Sequence, residues 1–173
     1  MDTTVPDIIH ATEELYRANP DGARTTPAVR GRLVEGRAEL SAGAYTWHSD
    51  LPPALGGTGS APTPTQYLLG ALAGCAVAFI HDTLAPQLSI TVEDLTVVAR
   101  CRADARGLLG MDGAIPDLEE IEIEISIATS ASAERLAALE VVWRERCPIY
   151  LAVVRANEAS VRLTQAVPAQ ATR

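Results

Sequence analysis

The hydrophobic pattern of the chain begins with a single helix. Residues 6–19 place apolar side chains on one helical face, and Pro20 ends the pattern. The apolar face comprises Ile8, Ala11 and Leu15. Residues 21–27 are mostly polar and rich in turn formers, which predicts a linker. Residues 1–27 are therefore expected to be an N-terminal extension made of one amphipathic helix and a linker.

Strand composition begins after this extension. Residues 28–35 and 38–48 predict the two strands of a hairpin, with Gly36-Arg37 at the turn between them. A loop rich in proline and glycine follows at residues 52–62. Loops of this length are uncommon inside a compact domain and often border a functional site, so this loop is a candidate site boundary.

A long apolar helix is predicted after the loop. Thr63 or Thr65 can cap its start, and the helix is expected to run to about Leu84, with Pro86 as its stop. Residues 68–80 are apolar on every face, which predicts that the helix lies buried. Small side chains give this helix a small diameter. The small residues are Gly70, Ala71, Ala73, Gly74, Ala76 and Ala78.

Two further strands are marked by alternation of apolar and polar residues. Residues 95–101 alternate in this way, and residues 120–127 alternate Glu and Ile almost without interruption. One face of each strand is therefore expected to be buried and the other exposed. Charge pairs across the strands are expected from Arg100 and Arg102 to Glu120, Glu122 or Glu124.

The next segment predicts two consecutive helices around a cysteine. Ser132 can cap a helix over residues 133–146. Its apolar stripe comprises Leu136, Leu139 and Trp143. Cys147 continues this stripe one turn later, and Pro148 opens a second helix that is expected to reach about residue 156.

The chain ends with one more predicted strand, which contains Val161 and Leu163. Residues 168–173 are expected to form a disordered tail. The order of elements is two strands, a buried helix, two strands, two helices and a strand. This order predicts an α+β fold with a mainly antiparallel sheet, in one domain over residues 28–167.

Composition and charge narrow the classes of function. The 173 residues are 47% hydrophobic and 21% charged, which suits a globular domain. A net charge of −8 disfavours nucleic acid, and no polybasic segment is present to bind an anionic membrane. The N-terminus lacks the apolar core of a signal peptide, and the longest uncharged apolar stretch, residues 67–80, is too short to span a bilayer. We expect a cytoplasmic protein with no nucleic-acid or membrane partner.

Candidate chemistry is concentrated in the cysteines. The chain has three, Cys75, Cys101 and Cys147, and a reducing compartment argues against structural disulfides between them. The histidines are His10, His48 and His81. Because they are scattered and no CxxC pair is present, no metal site is expected.

The residues alone leave a reactive and an inert role open for two of these cysteines. Cys75 lies midway along the apolar helix, where a cysteine is commonly inert packing. Cys147 precedes a proline that opens a helix, where amide groups lower the pKa of a thiol, but it also closes the Trp143 stripe. Cys101 lies on a predicted strand with no activating neighbour, and it is expected to be packing.

Two motifs contain the candidate cysteines. The first is LGGTGSAPTPTQYLLGALAGC at residues 55–75, in which a Gly-Gly loop and a proline-containing helix start lead to Cys75. The second is Cys147-Pro148, followed by an apolar helix and a Val-rich strand. In their order and spacing, the two motifs resemble the OsmC/Ohr family of osmotically inducible and organic hydroperoxide resistance proteins, and the resemblance covers about residues 29–163.

The resemblance implies both a fold and a reaction. The implied fold is an intertwined homodimer, in which mainly antiparallel sheets wrap around central cysteine-bearing helices. In active members, the first cysteine attacks an organic hydroperoxide, the second resolves the sulfenic acid as a disulfide, and an external dithiol reduces it without a bound cofactor. Carried over residue by residue, Cys75 is the nucleophile, Cys147 is the resolving thiol, and Arg37 is the cation that activates the nucleophile.

The chain departs from the family pattern at the start of the cysteine helix. Peroxidase members carry a Glu there that holds the arginine, whereas this chain has Thr65-Gln66; Ile149-Tyr150 also replaces a small polar residue after the second motif. Three functions are therefore considered: a hydroperoxide reductase, a relative that binds a small apolar ligand or senses oxidants, and a structural subunit with inert cysteines. His48 can line the expected substrate pocket, whereas His81 faces a different side of the cysteine-bearing helix from Cys75.

Overall fold

The computed structural model describes residues 4–165 and has an α+β fold with antiparallel sheets, as predicted. After an N-terminal helix, the main elements in order are a three-stranded sheet, the cysteine-bearing helix, a two-stranded sheet and two further helices. The helices are α1 (Val5–Ala18), α2 (Pro64–Phe79), α3 (Ala85–Gln87), α4 (Ala105–Leu108), α5 (Ala133–Arg146) and α6 (Pro148–Val154). The strands are β1 (Arg30–Val34), β2 (Arg37–Ala42), β3 (Tyr45–Ser49), β4 (Asp94–Ala103) and β5 (Leu118–Ala128).

The first sheet is an antiparallel meander in the order β1-β2-β3. A tight turn at Glu35 and Gly36, with φ values of 51° and 80°, joins β1 to β2 and leaves Arg37 as the first residue of β2. The prediction of one long strand over residues 38–48 is wrong. Gly43, with φ 57°, turns the chain back and separates β2 from β3. The predicted hairpin therefore has a third strand.

The helix α2 begins with a reciprocal cap. The Thr63 hydroxyl accepts a hydrogen bond from the Gln66 backbone N–H at 3.3 Å, and the Gln66 side chain accepts one from the Thr63 N–H at 2.8 Å. Thr63 is therefore the cap. Beyond α2, a π-helical turn at Ile80–Leu84 leads directly into α3. The helical run thus ends at Gln87, one residue beyond the predicted stop.

One side of α2 is exposed in the single chain. Leu72 and Ala76 are fully buried. The exposed stripe comprises Gly70, Ala71, Gly74, Val77 and Ala78. The prediction of a helix buried on every face is therefore wrong for one chain, because β4, β5 and α6 pack on one side only. The run Pro64–Gln87 is long and apolar enough to cross a membrane by length and composition, a test that the core helix of a soluble protein also passes.

The second sheet pairs β4 with β5 in antiparallel register. Its outer face has the predicted charge pairs, with Arg100 at 2.6 Å from Glu122 and 3.2 Å from Glu124, and Arg102 at 2.8 Å from Glu120. Its inner face packs against a core formed with the helices. The buried core residues are Ala76, Ile80, Leu84, Ala85, Ile90, Leu139, Trp143 and Cys147.

The helix α5 and its cap Ser132 are confirmed, and α6 ends two residues before its predicted end. The predicted final strand is wrong. Val161 and Leu163 have no regular structure, and their side chains are 95% and 97% exposed. A strand needs a neighbouring edge for its backbone hydrogen bonds, and no strand of the described chain lies beside this segment. The expected tail at residues 168–173 lies outside the described residues.

The helix α1 forms as predicted and packs beside the end of the cysteine helix. Glu13 of α1 accepts a hydrogen bond from Gln87 at 2.9 Å. Arg146, which precedes Cys147, donates a longer bond of 3.5 Å to the same Gln87. The N-terminal extension is therefore connected to the helices that position the cysteines.

Candidate functional site

The structure brings Cys75 and Cys147 into contact. Their sulfur atoms are 3.3 Å apart, within hydrogen-bonding distance for two thiols, and both cysteines are free. Cys75 projects from α2, whereas Cys147 lies at the junction of α5 and α6. A disulfide bond is about 2 Å long, so the sulfur atoms need to approach by only about 1 Å to form one. The pair is therefore a preassembled dithiol.

Backbone hydrogen bonds fix Cys147 from both sides. Its N–H donates to the Trp143 carbonyl at 2.8 Å, and its carbonyl accepts from the Leu151 N–H at 2.9 Å. Pro148 is the first residue of α6, where a missing N–H leaves no helix bond unmade. The Cys147 side chain is 0% exposed, and the Trp143 ring stacks at 5.0 Å from that of Tyr150. Cys147 is thus buried and held by backbone hydrogen bonds to both flanking helices.

In the single chain, Cys75 is a protonated thiol at neutral pH. Partial burial, and then the hydrogen bond to Cys147, raise the pKa of Cys75 to about 11. The backbone N–H of Ile149 acts in the opposite direction but only partly offsets these effects. Such a pKa leaves very little thiolate at pH 7, so the pair has the geometry for redox chemistry without the activation.

The arginines that follow Trp143 do not supply this activation. Arg144 forms an ion pair with Glu140 at 3.0 Å on the surface of α5. Arg146 is directed to Gln87. Within residues 4–165, no cation contributes to the pKa of Cys75. Neither arginine therefore activates Cys75 in the single chain.

Arg37 lies near the start of α2, whereas the cysteines lie farther along it. Arg37 and Pro64 line the same cleft of about 230 Å³. Cys75 is eleven residues beyond Pro64, which corresponds to about 16 Å along the helix. The Arg37 guanidinium donates to the Ser60 hydroxyl at 3.4 Å and lies 3.9 Å from the Glu35 carboxylate. Its buried Nε has no partner among the described residues, so Arg37 retains unused hydrogen-bonding capacity.

Asp50 organises the loop between β3 and α2. Its side chain belongs to a residue that is only 7% exposed. One carboxylate oxygen accepts hydrogen bonds from the hydroxyls and backbone N–H groups of Thr58 and Ser60 at 2.6–3.1 Å, and the other accepts from the Leu51 N–H at 2.8 Å. These bonds, with that of the Thr58 hydroxyl first, hold the pKa of Asp50 well below its usual range. A Cβ at Gly57 would meet the Leu51 carbonyl oxygen at 2.0 Å, so the loop requires glycine there.

Asp50 is a residue of this region that the sequence pattern does not single out. Its donors come from residues later in the loop, and the only local signal is its place directly before that loop. Gln66, by contrast, uses its side chain in the helix cap. The Ser60 hydroxyl, which accepts a hydrogen bond from Arg37, also donates one to Asp50 at 3.1 Å.

The third cysteine and the two candidate histidines have other surroundings. Cys101 is half-buried on β4, on the face that packs against the helices. The His48 ring lies 3.9 Å from Glu39 on the neighbouring strand, and the exposed His81 ring hydrogen-bonds to Asp82 at 2.7 Å. Among residues 4–165, no three His, Cys, Asp or Glu side chains are grouped so that they could hold a metal ion.

An apolar cavity of about 500 Å³ lies between the loop, the start of α2 and the connection from β4 to β5. Its apolar lining includes Leu51, Leu55, Leu68, Leu108 and Leu118. Leu68 precedes Cys75 by seven residues, so the two share one face of α2 and lie about 10 Å apart along the helix. The volume is within the range of small-molecule sites.

The chain matches a known protein family. The family model described as OsmC-like protein matches residues 57–163, which is more than half of the chain. This range includes the second half of the loop, the cysteine helix, both strands of the second sheet and the second cysteine. A comparison with curated proteins gives no significant match.

Solved structures share the fold at low sequence identity. An OsmC-like protein of Mycoplasma pneumoniae superimposes with a TM-score of 0.63 and 20% identity, over 75% of this chain and 87% of that one. An OsmC-like protein of unknown function from Vibrio cholerae gives 0.57 and 11%, over 76% and 95%. The organic hydroperoxide resistance protein OsmC of Legionella pneumophila gives 0.50 and 20%, over 76% and 91%. At these identities the similarity establishes the fold alone.

Proposed function

Because this chain belongs to the OsmC-like protein family, we propose that it is a thiol-dependent peroxidase that reduces organic hydroperoxides, with Cys75 as nucleophile and Cys147 as resolving thiol. The observation that carries this proposal is the 3.3 Å separation of the two sulfur atoms. Two free cysteines from distant parts of the chain meet in the core, so a disulfide can form without unfolding. The name of the Legionella relative, an organic hydroperoxide resistance protein, supports the same class of substrate.

The first step is nucleophilic attack by the Cys75 thiolate on the outer oxygen of the hydroperoxide. The S–O bond forms as the O–O bond breaks, and the alkoxide that leaves takes up a proton to become an alcohol. The sulfur loses two electrons and becomes a sulfenic acid, and the peroxide gains the same two electrons.

The second step uses the proximity of Cys147. Its thiolate attacks the sulfenic sulfur of Cys75, the S–S bond forms, and the hydroxyl leaves as water after taking up a proton. An external dithiol then reduces the disulfide by thiol–disulfide exchange and returns the chain to its starting state. The cycle needs no bound metal or organic cofactor.

Activation of Cys75 requires a cation, because a thiol with a pKa of about 11 is almost entirely protonated at pH 7. We assign this role to Arg37, which would stabilise the thiolate and the departing alkoxide. Since Arg37 lines a cleft with Pro64, which lies about 16 Å along α2 from the Cys75 of the same chain, the proposal places Arg37 at the Cys75 of a second copy. The active form is then a homodimer.

Exposed surface supports a homodimer. The chain has a solvent-accessible surface of 13363 Å², whereas a compact monomer of this size exposes roughly 8,000 Å². The excess includes the small-residue stripe of α2, together with Leu33, Val161 and Leu163, which are 80%, 95% and 97% exposed. A second copy that covers these residues would also give the segment around Val161 the strand edge that it lacks.

The cavity next to Leu68 supports an apolar substrate. Its lining suits the alkyl or aryl part of an organic hydroperoxide better than hydrogen peroxide, which has no apolar part to bury. The proposed partners are therefore a second copy, an organic hydroperoxide and a dithiol reductant. With a net charge of −8, nucleic acid and anionic membranes are not proposed as partners, and the proposed location is the cytoplasm.

A second candidate function is binding of a small apolar ligand, or sensing of oxidants, without peroxidase turnover. It is favoured by the high pKa of Cys75 and by Thr65-Gln66, which leave no carboxylate at the helix position where peroxidase relatives have one. A ligand that remains bound during purification and is detected by native mass spectrometry would support it. Rapid turnover of hydroperoxide would contradict it.

The test of the proposed function is consumption of cumene hydroperoxide by the reduced protein with excess dithiol. We expect turnover in the unaltered chain and in Cys101→Ser, and a loss of at least about 1,000-fold in Cys75→Ser, because the nucleophile is removed. Cys147→Ser is expected to give one turnover and to accumulate a sulfenic acid that dimedone traps at Cys75. Equal activity of Cys75→Ser and the unaltered chain would refute the proposal.

A further inference from the structure

A buried carboxylate lies one hydroxyl group away from Arg37. Asp50 accepts five hydrogen bonds from three residues of its loop, Leu51, Thr58 and Ser60. Of these donors, Ser60 is the one whose side chain also contacts Arg37. The loop therefore connects the buried carboxylate to the guanidinium that the proposed reaction needs.

The donor and acceptor groups of Arg37, Ser60 and Asp50 allow only one direction for the hydrogen bonds between them. A guanidinium has only donors and an ionised carboxylate has only acceptors. The single proton of the Ser60 hydroxyl must therefore point to Asp50, at 3.1 Å, and its oxygen accepts from Arg37, at 3.4 Å. A hydroxyl that donates to a carboxylate becomes a better acceptor, so the negative charge of Asp50 strengthens the bond from Arg37.

Other groups near Arg37 provide weaker support for its position. The Glu35 carboxylate is 3.9 Å away and its side chain is 81% exposed, so its attraction is screened by water. Thr65-Gln66 stands where the sequence resemblance places the residue that holds the arginine, and the Gln66 side chain is used in the helix cap. Ser60, backed by Asp50, is the remaining polar contact of Arg37 among the described residues.

We propose that Asp50 is the positioning residue for Arg37 and that it acts through the Ser60 hydroxyl, in place of a carboxylate on the cysteine helix. The inference rests on the proposed function for its consequence in catalysis, although the arrangement of the three side chains can be tested without turnover. Asp50 is not a catalytic residue in this account, because it lies behind Ser60 and does not contact the thiols.

The chain offers a matched pair of variants for the test. Ser60→Ala and Thr58→Val each remove one hydroxyl that donates to the same oxygen of Asp50, and each keeps the backbone N–H that also donates to it. Only the Ser60 hydroxyl accepts from Arg37. A loss of loop order alone would affect both variants, whereas a loss of Arg37 positioning would affect only Ser60→Ala.

The first readout is the rate at which phenylglyoxal modifies Arg37 in the full chain, measured by peptide mass spectrometry with the exposed Arg24 as internal reference. Ser60→Ala is expected to raise this rate about fivefold, the factor that corresponds to one hydrogen bond. Asp50→Asn is expected to act in the same direction, while Thr58→Val and the conservative Ser60→Thr stay at the rate of the unaltered chain. Equal rates in Ser60→Ala and Thr58→Val would overturn the inference.

The second readout is hydroperoxide turnover, with melting temperatures to monitor folding. Ser60→Ala is expected to lower kcat/KM, and Arg37→Gln/Ser60→Ala is expected to match Arg37→Gln alone, because Ser60 acts through Arg37. If the unaltered chain does not reduce peroxide but the Arg37 modification rates follow the expected pattern, the proposed function fails and the role of Asp50 stands. If turnover is normal and Ser60→Ala equals Thr58→Val in both readouts, the role of Asp50 fails and the proposed function stands.

Discussion

The cysteine pair and the Arg37 cleft lie at different positions along α2 and are built in different ways. The pair joins residues 72 positions apart in sequence, Cys147 is buried in the core and Cys75 packs against it, and the two sulfur atoms are in contact within one chain. The cleft is built from one continuous part of the chain, between Leu33 and Pro64, and it remains open to solvent. The cysteine pair therefore provides two reactive sulfur atoms in contact. The Arg37 cleft provides a positive charge that is not in contact with them in the single chain.

The position of the two sulfur atoms and the electrostatic activation of Cys75 are therefore separate requirements of this site. Packing of Cys147 in the core holds the sulfur atoms at 3.3 Å, but the same burial raises the pKa of Cys75 to about 11. Arg37 is kept partly exposed by the first sheet, with an unpartnered Nε in the described chain. A homodimer that brings the two regions together would meet both requirements.

Replacement of Arg37 is expected to have the largest effect on activity. Arg37→Gln is expected to lower kcat/KM for cumene hydroperoxide by about 100-fold to 1,000-fold, since it removes a donor aimed at the developing charge. Arg32→Gln is the matched control, because Arg32 lies on the same sheet and pairs with Glu39 at 2.6 Å. A similar loss of activity in both variants would show that the sheet, and not the Arg37 cation, is needed.

The pH dependence of Cys75 alkylation tests whether Arg37 lowers the pKa of Cys75. Iodoacetamide reacts with the thiolate, so the rate at Cys75 rises as pH passes through its pKa. In Arg37→Gln the midpoint is expected near the value of about 11 that burial and Cys147 produce. In the unaltered homodimer the midpoint is expected at lower pH, because a cation favours the thiolate. Coincident midpoints would contradict activation by Arg37.

A smaller effect is expected from the acid stability of the loop. The pKa of Asp50 is held below its usual value of 3.8, so its ionised form is favoured by folding. The stability that it contributes is present above about pH 4 and is lost as the pH falls below that value. Asp50→Asn is therefore expected to be less stable than the unaltered chain at pH 7, with the difference shrinking under acid. Denaturant unfolding at several pH values measures this, and a pH-independent difference would contradict it.

Much of the fold could be predicted because its elements are specified locally. The Ser132 cap, the alternation of β5 and the proline that opens α6 each act over a few residues, and all three are confirmed. The absence of a strand at Val161 from the described structure could not be foreseen from the sequence. The β-forming residues are present, but a strand needs an edge that a single chain does not provide beside it.

The candidate site likewise contains residues that the sequence predicts and residues that it does not. Cys75 and Cys147 were individually ambiguous, and their motif context singled them out before their contact was known. Asp50 was missed because its importance comes from donors eight and ten residues away, Thr58 and Ser60, which converge only after the loop folds. The turn at Gly43 was missed because the flanking residues have continuous strand composition.

The central claim is that Arg37 of one chain serves the cysteines of another, and subunit complementation tests it most directly. Arg37→Gln and Cys75→Ser chains with different tags are coexpressed, and cumene hydroperoxide turnover is compared with that of each variant alone. Random pairing gives one intact site in each mixed dimer, so the account predicts about a quarter of the unaltered activity. If Arg37 serves its own chain, no mixed dimer has an intact site. Activity no higher than that of the separate variants would then contradict the account.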